Sequence, residues 1–230
     1  MIEIKNISKI YGKNQALKEV DYIFHSGKVY GLVGANGCGK TTLMRCICGF
    51  TQPDSGYVVV NGCLVGGKNT LRRLRREGLE AAHDKIADFS PSTGVIIEEP
   101  GFLNHLSGMD NLKLLMAVGG RDSVEQAAEA MRAVELDPNE KKPVGQYSLG
   151  MRQRLGFAQA VMENPDVLLL DEPFNAMDAH AMEEVHYLIA QLRSKGKTIV
   201  IASHSVEDIR RACDTVLQMD AGVIVKSTEF

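Results

Sequence analysis

No stretch of the 230-residue sequence approaches the roughly 20 apolar residues that a membrane-spanning helix needs, so the chain is expected to stay out of the bilayer. It has no surplus of either charge. With 26 Lys+Arg against 29 Asp+Glu there is no overall field to attract a polyanion, and nucleic acid is not expected as a partner. Internal repeats, low-complexity tracts, sustained heptads and paired Cys-x-x-Cys motifs are also missing. The five cysteines, at 38, 46, 48, 63 and 213, are odd in number and scattered, which fits a reduced compartment better than a disulfide framework. Cys46 and Cys48 lie two apart on an expected helix and so on different faces, a poor start for a metal site. Met1-Ile-Glu-Ile-Lys carries no signal-peptide pattern. Together these absences predict a cytosolic protein, found at a membrane only if a partner recruits it there.

What is present is more specific. Gly34-Ala-Asn36-Gly37-Cys38-Gly39-Lys40-Thr41 matches in full the loop pattern that cradles nucleotide phosphates. The apolar run Val29 to Val33 before it suits a buried parallel strand, and Thr41-Thr42-Leu43-Met44 suits the start of a helix. Glycines at 34, 37 and 39 let the backbone curl until its N–H groups face phosphate oxygens, and the helix N-terminus adds partial positive charge. Lys40 is placed for the β- and γ-phosphates, and the Thr41 hydroxyl for a magnesium ion bridging them. A nucleoside triphosphate is the expected ligand.

The rest of the chain reads as one large α/β domain, residues 1–230, with a helical insertion at roughly 98–163. Ile2, Ile4 and Ile7, then Leu17, Val20 and Ile23, then Tyr57 to Val60 before the Asn61-Gly62 turn, suggest antiparallel strands beside the nucleotide. From about Leu106 to Met162 the pattern turns helical, with candidates at Met109 to Val118, Ser123 to Val134 and Met151 to Met162, the last stopped by Asn164-Pro165. Val167 to Leu170 and Thr198 to Ala202 suit strands buried on both faces, with a helix from Ala179 to Ser194 between them. That alternation predicts a mostly parallel sheet with its ligands at the carboxyl ends of the strands. A hairpin is expected around Asp220-Ala221-Gly222.

Two of those strand ends carry chemistry. Asp171 suits the water shell of the magnesium, and Glu172 suits polarisation of an attacking water. Taken alone, adjacent carboxylates as easily cap a strand; next to a phosphate loop the functional reading prevails. His204, just past Ala202, is placed to donate to the γ-phosphate or orient the water. The other histidines, at 25, 83, 105, 180 and 186, have no comparable placement and read as structural.

In order along nearly the whole chain, these features resemble the nucleotide-binding subunit of ATP-binding cassette (ABC) transporters. Tyr11 resembles the aromatic on which that family stacks adenine, and Gly34–Thr42 its phosphate loop. Tyr147-Ser148-Leu149-Gly150-Met151-Arg152-Gln153-Arg154 is similar to its signature, usually Leu-Ser-Gly-Gly-Gln. Leu168-Leu-Leu-Asp-Glu-Pro173 resembles its acidic strand, Asn175-Ala-Met-Asp178 the loop that crosses the dimer, and His204 its switch histidine. The resemblance implies a phosphate-loop NTPase core with a mostly parallel sheet, a small antiparallel β subdomain and an inserted α-helical subdomain. It implies ATP and Mg²⁺ as ligands and a separate membrane permease as partner. It also implies a head-to-tail dimer, expected to be of identical chains, in which Ser148 and Gly150 of one copy cover ATP on the other. The chain would then sit peripherally at the inner face of the cell membrane.

Departures sharpen the resemblance. Glu98, in Ile97-Glu98-Glu99-Pro100-Gly101-Phe102, stands where the family has a glutamine; as a carboxylate it remains a candidate magnesium ligand but adds negative charge near the γ-phosphate. Leu149 and Met151 replace a glycine and a glutamine. Both features resemble the bacitracin-type, lantibiotic-immunity and multidrug exporter branch, which implies ATP-powered export. Two alternatives remain at this point: a soluble ABC-type ATPase in cluster assembly or envelope regulation, and a nucleotide sensor that does not hydrolyse. Lys68 to Ser92 is longer than the family's usual connection, and Leu71-Arg-Arg-Leu74-Arg-Arg76 suits either a basic turn facing anionic headgroups or an acidic permease loop, or a solvated helix with two leucines tucked onto the core. Nothing in these residues identifies the cargo.

Overall fold

The computed structural model describes residues 1–78, 85–98, 101–119, 123–175 and 177–230, apart from the side chain at 208. In chain order the elements are β1 (Ile2–Tyr11), β2 (Asn14–Phe24), β3 (Val29–Val33), α1 (Lys40–Cys48), β4 (Ser55–Val60), β5 (Cys63–Val65), α2 (Gly67–Arg76), β6 (Lys85–Ala87) and β7 (Thr93–Ile96). There follow α3 (Gly108–Val118), α4 (Val124–Ala133), a 3₁₀ turn at Val144–Gln146, α5 (Leu149–Val161), β8 (Val167–Asp171), α6 (Ala179–Ser194), β9 (Thr198–Ser203), α7 (Val206–Ala212), β10 (Thr215–Asp220) and β11 (Val223–Glu229). They form two sheets, ordered β2-β1-β4-β5-β6 and β11-β10-β3-β9-β8-β7. The second is parallel from β10 to β7, with β11 antiparallel at its edge.

Strand periodicity builds the layers. Val29, Leu168, Leu170, Ile199 and Ile201 point to one side of the parallel sheet, onto Leu112, Met131, Leu155, Phe157, Val185 and Ile209 of the helices α3 to α7. Tyr30, Leu32, Val167, Leu169, Val200 and Ala202 point to the other, onto Leu43 and Ile47 of α1 and onto Ile2, Ile4, Ile7 and Leu17 of the first sheet, which is antiparallel from β2 to β5 with β6 parallel at its edge. Continuous apolar runs are therefore required in the central strands, because both faces are covered. Each fully buried Leu or Ile contributes about 1.5–3 kcal/mol of transfer free energy. Among the described residues no helix is long and apolar enough to cross a membrane.

Helix starts are set by side-chain caps. Ser107, Ser123, Ser148 and Asp178 accept the N–H of Asp110, Gln126, Met151 and Ala181 at the heads of α3, α4, α5 and α6. Gly94, in the short β7, is there for packing: a Cβ would lie 1.9 Å from the carbonyl oxygen of Ala160 on α5. Burial pushes the Cys46, Cys48 and Cys213 thiols up to about 12, 11 and 12 respectively, leaving them inert near neutral pH. All five cysteines are free.

The basic stretch before the insertion is helical, as α2. Leu74 is fully buried and Leu71 half-buried against Val59 and Leu64, so the leucines pack inward. Residues 79–84, including His83, and the Glu99-Pro100 pair fall outside the described residues, as does Ala176 of the segment expected to cross a dimer.

Candidate functional site

The site is assembled by strand order. Adjacent parallel strands β3, β9 and β8 end in Gly34, His204 and Asp171-Glu172 respectively, so the loop, the histidine and the carboxylates meet at one sheet edge although they are up to about 170 residues apart. Between Gly34 and α1 the loop is held by its neighbours. The N–H of Cys38 donates to Ala35 O, and the N–H of Gly222, in the β10–β11 turn, donates to Cys38 O. Gly39 has φ +111° and packs so closely on β2 that a Cβ would lie 2.6 Å from Ala16 O. Only glycine meets both demands. Lys40 is 7% exposed, and its Nζ donates to Gly34 O at 2.7 Å and Ala35 O at 3.3 Å. Among the described residues no carboxylate pairs with it. A buried ammonium held by carbonyls is a site in need of an anion, and the N-terminus of α1, which has no side-chain cap, points the same way.

Thr41 Oγ1 donates to Asp171 Oδ2 at 2.5 Å, bringing the two expected magnesium ligands into contact. A hydroxyl beside a partly buried carboxylate is an all-oxygen donor pair, which fits a hard divalent cation. Glu172 takes φ +48°, and its N–H donates to Ala202 O. That turn aims its carboxylate at β9: Oε1 accepts the His204 N–H at 3.0 Å and Oε2 lies 2.9 Å from His204 Nδ1. The histidine, expected on the phosphate side, is thus tied first to Glu172, which fixes the orientation of both groups. Tyr11, Asn36, Gly37, Gly39, Lys40, Thr41, Thr42, Asp171 and Glu172 line one cavity of about 300 Å³. Tyr11 is 45% exposed there, with Lys9 Nζ 5.4 Å from its ring centroid, a contact that takes one ring face.

The remaining expected residues lie elsewhere on this chain. Ser148, Gly150 and Asp178 do not line that cavity; Ser148 and Asp178 are exposed helix caps, and Leu149 between the first two is 56% exposed. Glu98 takes φ +65° and pairs with Arg45 of α1, not with Thr41 or Asp171. Sequence reasoning gave no role to Gln153, whose amide donates to Pro173 O at 3.2 Å and ties the signature helix to the carboxylate turn. It also overlooked Asn14 and Ala16, which complete the cavity wall. Larger clefts, of about 390 and 400 Å³, lie away from the paired carboxylates: one between β7 and α5, the other behind His204. His180, read as structural, has its Nδ1 3.5 Å from Glu135, whose carboxylate also meets Arg154; a phenyl ring, Phe174, stacks on His186.

Burial raises the pKa of Asp171; the Thr41 hydrogen bond and the charge of Lys40 work against this, and the charges of Glu172 and Glu98 add to it. A carboxylate whose folded pKa exceeds its unfolded one stabilises fully below the unfolded value and loses that contribution as pH rises through the raised value. At neutral pH the ionised group is therefore a cost that a bound cation offsets. Asp171→Asn is expected to raise the Tm of the nucleotide-free protein at neutral pH, by about 2–4 °C for each kcal/mol relieved. It should give no gain at pH below the ordinary carboxylate range. Thermal scans at the two pH values measure this; a lowered Tm at neutral pH would contradict it.

Comparison with known proteins agrees with this geometry. A family model described as "ABC transporter" matches residues 17–175. The chain is 37% identical to the uncharacterized ABC transporter ATP-binding protein YybJ of Bacillus subtilis (strain 168), over 96% of this chain and 94% of that one. It is 34% identical to the bacitracin transport ATP-binding protein BcrA of Enterococcus faecalis, over 100% of this chain and 70% of that one. The dimeric, post-hydrolysis structure of the ATP-binding cassette MJ0796 bound to ADP and Pi shares the fold, with a TM-score of 0.83 at 24% identity over 100% of this chain and 98% of that one. With the family model spanning well over half of its length and relatives matching from end to end, the protein belongs to the ABC transporter family.

Proposed function

We propose that the chain is the ATP-hydrolysing subunit of an exporter, a single cassette whose helices between about residues 98 and 163 form a subdomain inserted in the core. The observation that carries this is the shared sheet edge: a buried Lys40 held by the carbonyls of Gly34 and Ala35, the Thr41–Asp171 contact and the Glu172–His204 pair all converge there. Lys40 and the loop N–H groups bind the β- and γ-phosphates, and Tyr11 receives the base. Glu172, oriented by His204, takes the proton of the attacking water. Magnesium would be held by Thr41 and Asp171, with Glu98 as a further candidate, and would supply positive charge to offset that of the phosphates.

Exposed Ser148 and Asp178, with the half-buried Gly150, are supplied to a second copy. The head of α5, capped by the exposed Ser148, presents a helix N-terminus that would suit the γ-phosphate on a partner. One phosphate clasped by two chains makes dimer closure depend on ATP and opening on its hydrolysis, a two-state element biased by ligand. The transport assignment follows the kinship to BcrA, named for bacitracin transport, and the direction of transport follows the Glu98 and Leu149 pattern. A separate permease then carries the solute, and the chain sits at the inner face of the membrane against it.

An affinity-tagged chain, solubilised in detergent from its own host, is expected to bring down a polytopic membrane protein in stoichiometric amount. Recovery of an active Mg²⁺-dependent ATPase with no membrane protein attached would overturn the transport assignment while leaving the hydrolytic one.

A further inference from the structure

Glu98 adds a third carboxylate to a site that must accept a polyanion. Glu98, Asp171 and Glu172 border one cavity of about 270 Å³, together with Gln153. Three like charges around the entry to a phosphate site oppose the ligand they serve. A glutamine at position 98 would offer an oxygen ligand with no net charge, so the carboxylate needs an offsetting cation.

Arg45 supplies it. It stands on α1, whose first residue is Lys40, and its Nη2 donates to Glu98 Oε1. The Arg45 side chain is 34% exposed and that of Glu98 64%. No second carboxylate pairs with Arg45 among the described residues. Exposed pairs of this kind add little to folding. The contact matters through position: α1 ties the guanidinium rigidly to the phosphate loop, while Glu98 follows β7 on the opposite side of the carboxylates.

We propose that Arg45 is a positioning residue for the nucleotide site: it cancels the charge of Glu98 and holds that carboxylate at the cavity mouth, so that a glutamate functions where a neutral amide would otherwise be needed. This rests on the reading of the cavity as a magnesium–ATP site. It makes Arg45 necessary because of Glu98 and only because of it. Removing the arginine leaves an uncompensated negative charge facing the incoming phosphates; removing the carboxylate as well leaves nothing to compensate.

The test is a double-mutant cycle on the full chain, read as the Kd for Mg²⁺-ATP by calorimetry in wild type, Arg45→Gln, Glu98→Gln and the double variant. Arg45→Gln is expected to weaken binding about 10-fold when Glu98 is present and less than about 2-fold when residue 98 is glutamine, a coupling within the range for side chains in contact. The larger loss should shrink at high salt, as a charge effect does, and Arg45→Lys should restore most of it. Equal losses in the two backgrounds, or none in either, overturn the proposal. Should wild type itself fail to bind Mg²⁺-ATP, the site reading falls with it; wild-type binding with no coupling refutes the Arg45 role alone. Tm values of the four nucleotide-free proteins separate a folding defect from a binding one, and Arg45→Lys keeps the cycle decisive if Arg45→Gln unfolds.

Discussion

Glu172→Gln protein will bind Mg²⁺-ATP, form a dimer that survives gel filtration, and release phosphate about 10²–10⁴-fold more slowly than wild type, the range by which a positioned general base accelerates a reaction. The structure explains why this substitution should separate binding from chemistry. Phosphates are to be held by Lys40 and the loop, none of which depends on the acidity of residue 172. The amide oxygen of a glutamine can still accept the His204 N–H, so the β9 turn keeps its anchor. What disappears is the carboxylate's capacity to take a proton from the attacking water. Its loss also removes one negative charge beside the γ-phosphate, which favours the ATP-bound state further. Size-exclusion chromatography with ATP, with ADP and without nucleotide reads the dimer, and a phosphate-release assay reads the chemistry. A variant that remains monomeric with ATP, or that hydrolyses at the wild-type rate, removes Glu172 from the role of general base.

Much of this arrangement is legible in the sequence where the determining chemistry is contiguous. A phosphate loop needs its glycines, lysine and threonine within eight residues, so Gly34 to Thr41 announces itself. β3 and α6 run over the residues expected, Val29–Val33 and Ala179–Ser194, because each is bounded by clear signals: apolar residues ending at a glycine in one case, an Asp cap in the other. Asp171 and His204 are recognisable as strand ends. Their meeting is not, because it depends on β9 lying between β3 and β8, and strand order is a long-range property that no local pattern encodes. For the same reason the sequence offers His204 to the γ-phosphate or the attacking water without revealing its contact with Glu172, 32 residues away. Arg45, on α1, and Glu98, after β7, are 53 residues apart, so their pairing has no local signal. Ala16 and Gly222 brace the loop through backbone atoms, which leave no side-chain signature. Strands β5 and β6 have three residues each, too few for an alternating pattern to register.

A second large effect concerns which chain completes which site. Lys40→Ala and Gly150→Asp proteins should each lose ATP-driven phosphate release by about 10²-fold or more, and an equal mixture of the two should regain up to roughly a quarter of the wild-type rate. The two residues occupy different places on the chain. Lys40 lines the cavity proposed for the nucleotide, whereas Gly150 lies in the first turn of α5, outside that cavity and partly exposed. An aspartate at 150 is compatible with its own helix, because negative charge near a helix N-terminus is stabilising. It would nevertheless repel a phosphate brought to that terminus by another molecule. In a mixed dimer one site combines an intact Lys40 with an intact Gly150, and the other combines both defects. Half of the randomly formed dimers are mixed and each has one sound site of two, which sets the ceiling of one quarter. A tag on one variant should retain the other only when ATP is present, so assembly is read independently of turnover. If both lesions struck a site built within a single chain, mixing would restore nothing, since no molecule in the tube would hold a complete set of residues. Activity no greater than the sum of the separate variants, with no ATP-dependent retention, therefore rules out a shared enclosure and with it the coupling of hydrolysis to dimer opening.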